Sequence, residues 1–167
     1  MRAGIIGIGS FLPEKVVHNT ELEKIVETTN EWIVERTGIQ SRRIAEANIS
    51  SSDLGAEAAR LAIENANLKP EDIDMIISAS SSPDCTFPAT ACIIQDKINA
   101  KNAAAFDIQA ACTGFVYGLV TATQYILSGE CKNVLVVGCE VLSKITDWQD
   151  RNTCILFGDG AGAVVVS

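Results

Sequence analysis

Three stretches of the sequence predict an α/β fold built on a largely parallel sheet. Residues 53–80 pass from a helical apolar spacing (Leu54, Ala58, Leu61, Ala62) through the break at Lys69-Pro70 to a strand from Met75 to Ser80, a βαβ-type rhythm. Asn133 to Cys139 is a continuous apolar run, as expected of a central strand covered on both faces. Around Cys112, a strand-like run from Ala103 to Ile108 gives way at once to a helix with Phe115, Leu119, Ala122 and Ile126 at helical spacing.

Taken in order, Gly4 to Gly9 reads as the first strand. Its Gly7-Ile8-Gly9 resembles the start of a dinucleotide-binding turn. The third glycine would fall at Leu12, however, and Pro13 follows where a helix should open, so that site is excluded. Thr20 to Glu23 fits a capping box and predicts a short helix. A second short helix is expected from Asn30 to Arg36, ended by Gly38, and a third from Asp53 to Asn67. Ser80 to Asp84 is a polar loop at a strand end. Pro88 sits at the first position of a helix from Ala89 to Ile98, with Cys92 in its core face. Ala103 to Ile108 is expected to be buried, and Gly129 to stop the following helix as a left-handed cap. After a polar excursion from Leu142 to Thr153, strands Thr153 to Phe157 and Gly162 to Val166 are expected to form a hairpin through Gly158-Asp159-Gly160.

The chain has 167 residues, 47% of them hydrophobic, enough to bury the core of one domain. A net charge of −8 without any lysine or arginine run argues against nucleic-acid and polybasic membrane partners. No stretch has the length of a signal-peptide core or a membrane span, so a cytoplasmic protein is expected. The six cysteines include several inside apolar elements and read as reduced thiols. No C-x-x-C pair is present and His18 is the only histidine, so no metal site is expected.

Two constellations carry chemistry. A thiol at Cys112 meets the unpaired N–H groups and the positive end of the helix macrodipole, which favour thiolate, the nucleophilic form. Small neighbours Ala110, Ala111 and Gly114 leave room for a carbonyl, and the Cys112 N–H can face a developing oxyanion, an arrangement suited to acyl transfer through a thioester. In so apolar a sequence a structural, buried cysteine satisfies the same pattern. Trp32 and Arg36, four residues apart, share a helix face and can stack on a nucleobase; a tryptophan packed on an arginine stem has the same spacing.

The segment from Asp107 to Gly118, and the run Arg151 to Ala163 with Phe157-Gly158-Asp159-Gly160-Ala161-Gly162-Ala163, resemble the thiolase-like condensing enzymes, most closely the ketoacyl-acyl carrier protein synthase III family. The resemblance runs from Gly4 to the last residue and covers the first half of the family's αβαβα fold, in which each half holds a mixed five-stranded sheet with helices on both faces. It implies that Cys112 is the nucleophile. It implies that Trp32 stacks on the adenine of coenzyme A with Arg151 on the other side, Thr28 and Arg36 adding contacts. By the same alignment Ile155 and Leu156 lie beside the pantetheine arm and Leu142 near the acyl pocket. The resemblance further implies that Phe87 crosses from a neighbouring subunit of a homodimer to limit that pocket to short acyl groups. Acyl-CoA and malonyl-acyl carrier protein are the implied substrates, with no cofactor, in the step that starts fatty acid biosynthesis.

The family's catalytic histidine and asparagine come from the second half of the fold. Nothing in residues 1–167 stands for them, and His18 matches neither. The apolar run Ala163 to Val166, cut by Ser167 without a closing turn, reads as a chain interrupted within a longer one. Val134 to Val137 and Val164 to Val166 are then expected to lie bare. Other thiolase-like enzymes, of the hydroxymethylglutaryl-CoA synthase or chalcone-synthase type, and a non-catalytic module that binds coenzyme A or dimerises, are the competing readings.

Overall fold

A computed structural model describes residues 2–167. The chain runs through β1 (Ile5–Phe11), β2 (Val16–His18), α1 (Asn19–Leu22), α2 (Asn30–Thr37), β3 (Ser41–Arg43), α3 (Ser51–Asn65), β4 (Met75–Ala79), α4 (Thr90–Ile98), β5 (Ala104–Ile108), α5 (Gly114–Leu127), β6 (Val134–Val141) and β7 (Asp159–Val166). Five strands form one sheet in the order β1-β7-β6-β4-β5. β4 pairs parallel with both β5 and β6, while β7 runs antiparallel to β6 and to β1. The sheet is therefore mixed, with β7 alone reversed.

Strand alternation sorts the inner side chains onto two faces. Ile76, Leu135, Val137 and Val165 pack with the alanines of α3 and with Ile94 of α4; Ile77, Val134, Val136 and Val164 pack with Ala122 and Ile126 of α5. Val134 to Val137 and Val164 to Val166 are buried, so the expectation that they lie bare is overturned: helices cover both faces within this chain. Exposed apolar side chains lie elsewhere, among them Val116, Tyr117 and Val120 on the outer side of α5 and Ile6 and Ile8 on β1.

Close approach explains two glycine patterns. A Cβ on Gly7 would run into the Ala62 carbonyl oxygen, and one on Gly9 into that of Ala58. The Gly-Ile-Gly motif thus lets α3 lie directly on β1. On the other face a Cβ at Gly118 would stand 2.8 Å from Val136 Cγ1. Overpacking of that kind costs about 1–3 kcal/mol.

Several boundaries differ from expectation, each for a local reason. The first helix is capped two residues earlier than Thr20, at His18, because the Glu21 carboxylate accepts from the His18 N–H at 3.0 Å. α3 starts at Ser51, where Asp53 accepts from the Ser50 N–H at 2.8 Å. Pro88 lies ahead of α4, whose first N–H groups, Thr90 and Ala91, donate to the Asp107 carboxylate at 2.7 and 2.8 Å. The helix after Cys112 begins at Gly114, and Gly129 ends it with φ 82°, as expected. β5 is half-exposed rather than buried, because it is the sheet edge with β4 as its one neighbour.

The expected hairpin does not form. Residues 151–156 are successive turns anchored on the Asp150 carbonyl, which accepts from the Thr153 and Cys154 N–H groups at 3.2 and 3.0 Å. Asp159 opens β7 instead of turning. Its buried carboxylate accepts from the Ala45 N–H, the Ser143 N–H and the Ser143 hydroxyl at 2.7, 2.9 and 2.6 Å.

Outside the sheet, the β2–β3 ribbon, α1 and α2 close over a small separate core in which Leu22, Ile33, Cys154 and Ile155 are buried.

Candidate active site

All the residues singled out by sequence fall in four connections that leave the sheet at one end. β1, β4, β5 and β6 run the same way, so residues 12–50, 80–89, 109–113 and 142–158 all begin at their carboxyl ends. Thr28, Trp32 and Arg36 lie in the first, Phe87 in the second, Cys112 in the third, and Leu142, Arg151, Ile155 and Leu156 in the fourth. In open α/β sheets this end is where ligands bind.

The Cys112 connection is an elbow. β5 ends at Ile108, a single turn of tight helix spans Ala111–Thr113, and α5 starts at Gly114. Ala111 has φ 46°, a left-handed conformation that a residue with a Cβ seldom adopts and that costs about 1–2 kcal/mol. Gly114 sits so close over the end of β4 that a Cβ there would be 3.2 Å from the Ala79 Cβ. The product of this geometry is an exposed Cys112 just ahead of a long helix. Three of the other thiols lie in surroundings that oppose ionisation. Burial pushes Cys139 up to about 12, and burial also raises Cys154 and Cys131, with Asp150 acting in the same direction on the former and Asp74 on the latter.

The second group is a stack. Thr29 caps α2 by accepting from the Trp32 N–H at 3.1 Å, and Gly38 closes the helix with φ 72°. On this short helix the Arg36 guanidinium lies over the Trp32 ring, 4.3 Å from its centre; the Arg151 guanidinium, arriving from the 142–158 connection, lies 4.4 Å from the same centre. Each is a cation–π contact. The Arg151 Nε and the Thr28 hydroxyl are buried without a hydrogen-bond partner. Two unpaired polar atoms beside a planar stack are groups a ligand can satisfy.

The remaining residues divide. Phe87 is 88% exposed at the tip of its loop. Leu142 is half-buried at the end of β6 and Leu156 is exposed, whereas Ile155 is buried against Leu22 and Ile33 and offers its side chain to the small core. A groove of about 570 Å³, lined by Phe11, Ile44, Leu54, Arg60 and Lys97 among others, lies along α3 and includes none of the candidate residues.

Sequence reasoning missed the polar groups that hold these loops. Glu140 accepts from the Ser81 and Ser82 N–H groups at 2.6 and 3.0 Å, and Asp84 from the Ser52 N–H at 2.9 Å, fixing the loop that ends in Phe87. The Thr153 hydroxyl and the Asn152 N–H hold the Asp150 carboxyl below its ordinary value, next to Arg151. Asp107 and Asp159 had a legible signal, since an acid inside an apolar run demands donors. Arg42 had none.

Residues 106–167 match the family described as 3-oxoacyl-[acyl-carrier-protein (ACP)] synthase III. The beta-ketoacyl-[acyl-carrier-protein] synthase III of Caldanaerobacter subterraneus subsp. tengcongensis is 60% identical over 164 residues, 98% of this chain and 50% of that protein. The protein of the same description from Clostridium acetobutylicum is 62% identical over 162 residues, covering 97% and 50%. Among solved structures, the 3-oxoacyl-[acyl-carrier-protein] synthase III of Aquifex aeolicus VF5 superimposes with a TM-score of 0.96 at 53% identity, over 99% of this chain and 53% of that one. The chain thus spans about half the length of the relatives it matches, and its mixed five-stranded sheet with helices on both faces is the first half of a thiolase-like fold.

Proposed function

We propose that this chain, whose sequence and fold match the N-terminal half of the beta-ketoacyl-[acyl-carrier-protein] synthase III proteins, supplies the nucleophile and the coenzyme A clamp of a condensing enzyme. Cys112 attacks the carbonyl carbon of an acyl-CoA thioester. The bond to the coenzyme A sulfur breaks, coenzyme A leaves as the thiol, and the acyl group is held on Cys112 as a new thioester. Malonyl-acyl carrier protein then loses carbon dioxide, and its carbanion attacks the acyl-cysteine, releasing the Cys112 thiolate and ketoacyl-acyl carrier protein. That step needs groups that stabilise enolate charge and keep water out. His18, the one histidine, is exposed at the β2–α1 junction, away from the elbow in the chain, so the proposal assigns enolate stabilisation to residues beyond these 167.

The clamp is Trp32 and Arg151 on the adenine, Thr28 and Arg36 adding contacts to the nucleotide, and Ile155 and Leu156 beside the pantetheine arm. Ile155, buried in the small core, anchors the segment that carries Leu156. Phe87 and Leu142 bound the acyl pocket, Phe87 reaching into the partner subunit of a homodimer. The free thiol that the chemistry uses suits a reducing, cytoplasmic compartment. Among the described residues no helix is long and apolar enough to cross a membrane.

The observation that carries the reading is the elbow: a left-handed Ala111 that presents an exposed Cys112, at the same sheet end as the Trp32 stack. The test is transfer of radiolabelled acetyl from acetyl-CoA to the full-length protein. Label should survive denaturation, be released by hydroxylamine, and vanish in Cys112→Ala together with malonyl-acyl carrier protein-dependent release of carbon dioxide. Label on Cys112→Ala, or labelling of the intact protein without condensation, overturns it.

A further inference from the structure

The Trp32 stack joins two segments far apart in the chain, α2 and the 142–158 connection, and its spacing is useful only if they are held in register. Both reach one buried side chain. Arg42, on β3, is 6% exposed, and all its partners are neutral. It donates to the Ile155 carbonyl at 3.1 Å, to the Asn19 side-chain oxygen at 2.9 Å and to the Val17 carbonyl at 3.3 Å, while its Nε has no partner. Ile155 is in the connection that carries Arg151. Asn19 in turn donates to the Asn30 side-chain oxygen at 3.1 Å and to the Ile39 carbonyl at 2.7 Å. Asn30 is the first residue of α2, and Ile39 follows Gly38, which caps its end. One guanidinium therefore grips the Arg151 segment directly and both ends of the Trp32 helix through a single asparagine.

A buried cation without a carboxylate is costly, and burial pulls the Arg42 guanidinium below its ordinary value. The apolar cluster of Leu22, Ile33, Cys154 and Ile155 already joins the same segments, so cohesion alone does not call for a charge there. What the apolar contacts lack is direction. A planar group with fixed donors sets the distance and angle between its acceptors, which side-chain packing does not.

We propose that Arg42 is the positioning residue of the coenzyme A nucleotide clamp, setting through Ile155 on one side and Asn19 on the other the spacing between Arg151 and Trp32. The proposal rests on the clamp reading given above. It makes Arg42 matter for acyl donors that carry the nucleotide and not for those that lack it.

The experiment compares acetyl-CoA with S-acetyl-N-acetylcysteamine, which bears the same thioester and no nucleotide, on the full-length protein. Arg42→Met should raise KM for acetyl-CoA on the order of tenfold with kcat little changed, while kcat/KM for the truncated donor stays as in the parent. Arg42→Lys should recover part of the loss, since one ammonium can meet one of the acceptors but not all three. Equal losses with both donors would make Arg42 merely structural and overturn the proposal. If Arg42→Met does not fold, Asn30→Ala decides: it cuts the link at α2, and a rise in KM confined to acetyl-CoA supports the proposal, whereas no rise or an equal loss with both donors removes it. Trp32→Ala separates the two levels. If its loss is the same for both donors, the clamp reading itself fails; if its loss is confined to acetyl-CoA and that of Arg42→Met is not, only the role of Arg42 fails.

Discussion

Cys112 and Cys85 are the exposed thiols, and Cys139 and Cys154 are buried, with Cys139 pushed up to about 12 by burial. Limited iodoacetamide treatment should therefore modify Cys112 and Cys85 and leave Cys139 and Cys154 intact, with acetyl-CoA protecting Cys112 alone. Peptide mapping by mass spectrometry reads this out, and protection of Cys85 in place of Cys112 would reassign the nucleophile. At Trp32 the expectation concerns binding. Stacking on one base is worth about 1–3 kcal/mol, so Trp32→Ala should raise KM for acyl-CoA by about ten- to a hundredfold with kcat preserved. Steady-state kinetics on the full-length protein check it; a collapsed kcat with an unchanged KM would make Trp32 structural. The Trp32–Arg36 pairing was legible because a spacing of four repeats one helix face. Arg151 beside the same ring was legible only through the family resemblance, since it arrives from a connection that no local periodicity links to α2. The left-handed Ala111 was not legible: alanine carries no conformational signal of positive φ, as glycine does.

At the scale of elements, the N-terminus of α3 is where helix, loop and pH meet. Burial alone would raise the Asp53 carboxyl, but the Lys97 ammonium at 2.6 Å, then the Ser50 N–H and hydroxyl, outweigh it and hold Asp53 at about 2. Because the folded value lies below the unfolded one of about 4, Asp53 stabilises the fold above pH 4. That contribution falls away as pH drops from about 4 to about 2 and is gone below. Asp53→Asn should accordingly lower Tm at pH 6 and lose its difference from the parent by pH 2, measured by thermal melts across that range; a difference that does not depend on pH would mean the cap acts through shape and not charge. The sequence showed the helices α3, α4 and α5 and the strands β4 and β6, where periodicity and long apolar runs speak directly. It misled at residues 153–160, because a Gly-Asp-Gly run has the composition of a turn, while the Asp159 carboxylate is claimed by Ser143 and Ala45 from distant segments. Tertiary hydrogen bonds overrode local turn chemistry there.

At the scale of the whole molecule, the sheet is covered on both faces, and one unpartnered apolar surface is the outer stripe of α5. Val116, Val120 and Leu127, exposed at spacings that repeat one helical face, form it with Tyr117. Along the chain that stripe begins with Val116, four residues after Cys112. Patches of this kind drive association when left open. The 167-residue chain alone should therefore self-associate through α5, and Val116→Lys with Val120→Lys should shift it toward monomer in sedimentation while leaving its far-ultraviolet circular dichroism unchanged. The same chain should take acetyl slowly from acetyl-CoA onto Cys112 but release no carbon dioxide from malonyl-acyl carrier protein, since a thiolate can accept an acyl group without help whereas an enolate needs donors placed around it. Carbon dioxide release that depends on Cys112 in the isolated chain would show that the elbow and its neighbouring loops hold the enolate themselves, and the division of labour between this half of the fold and the remainder would have to be redrawn.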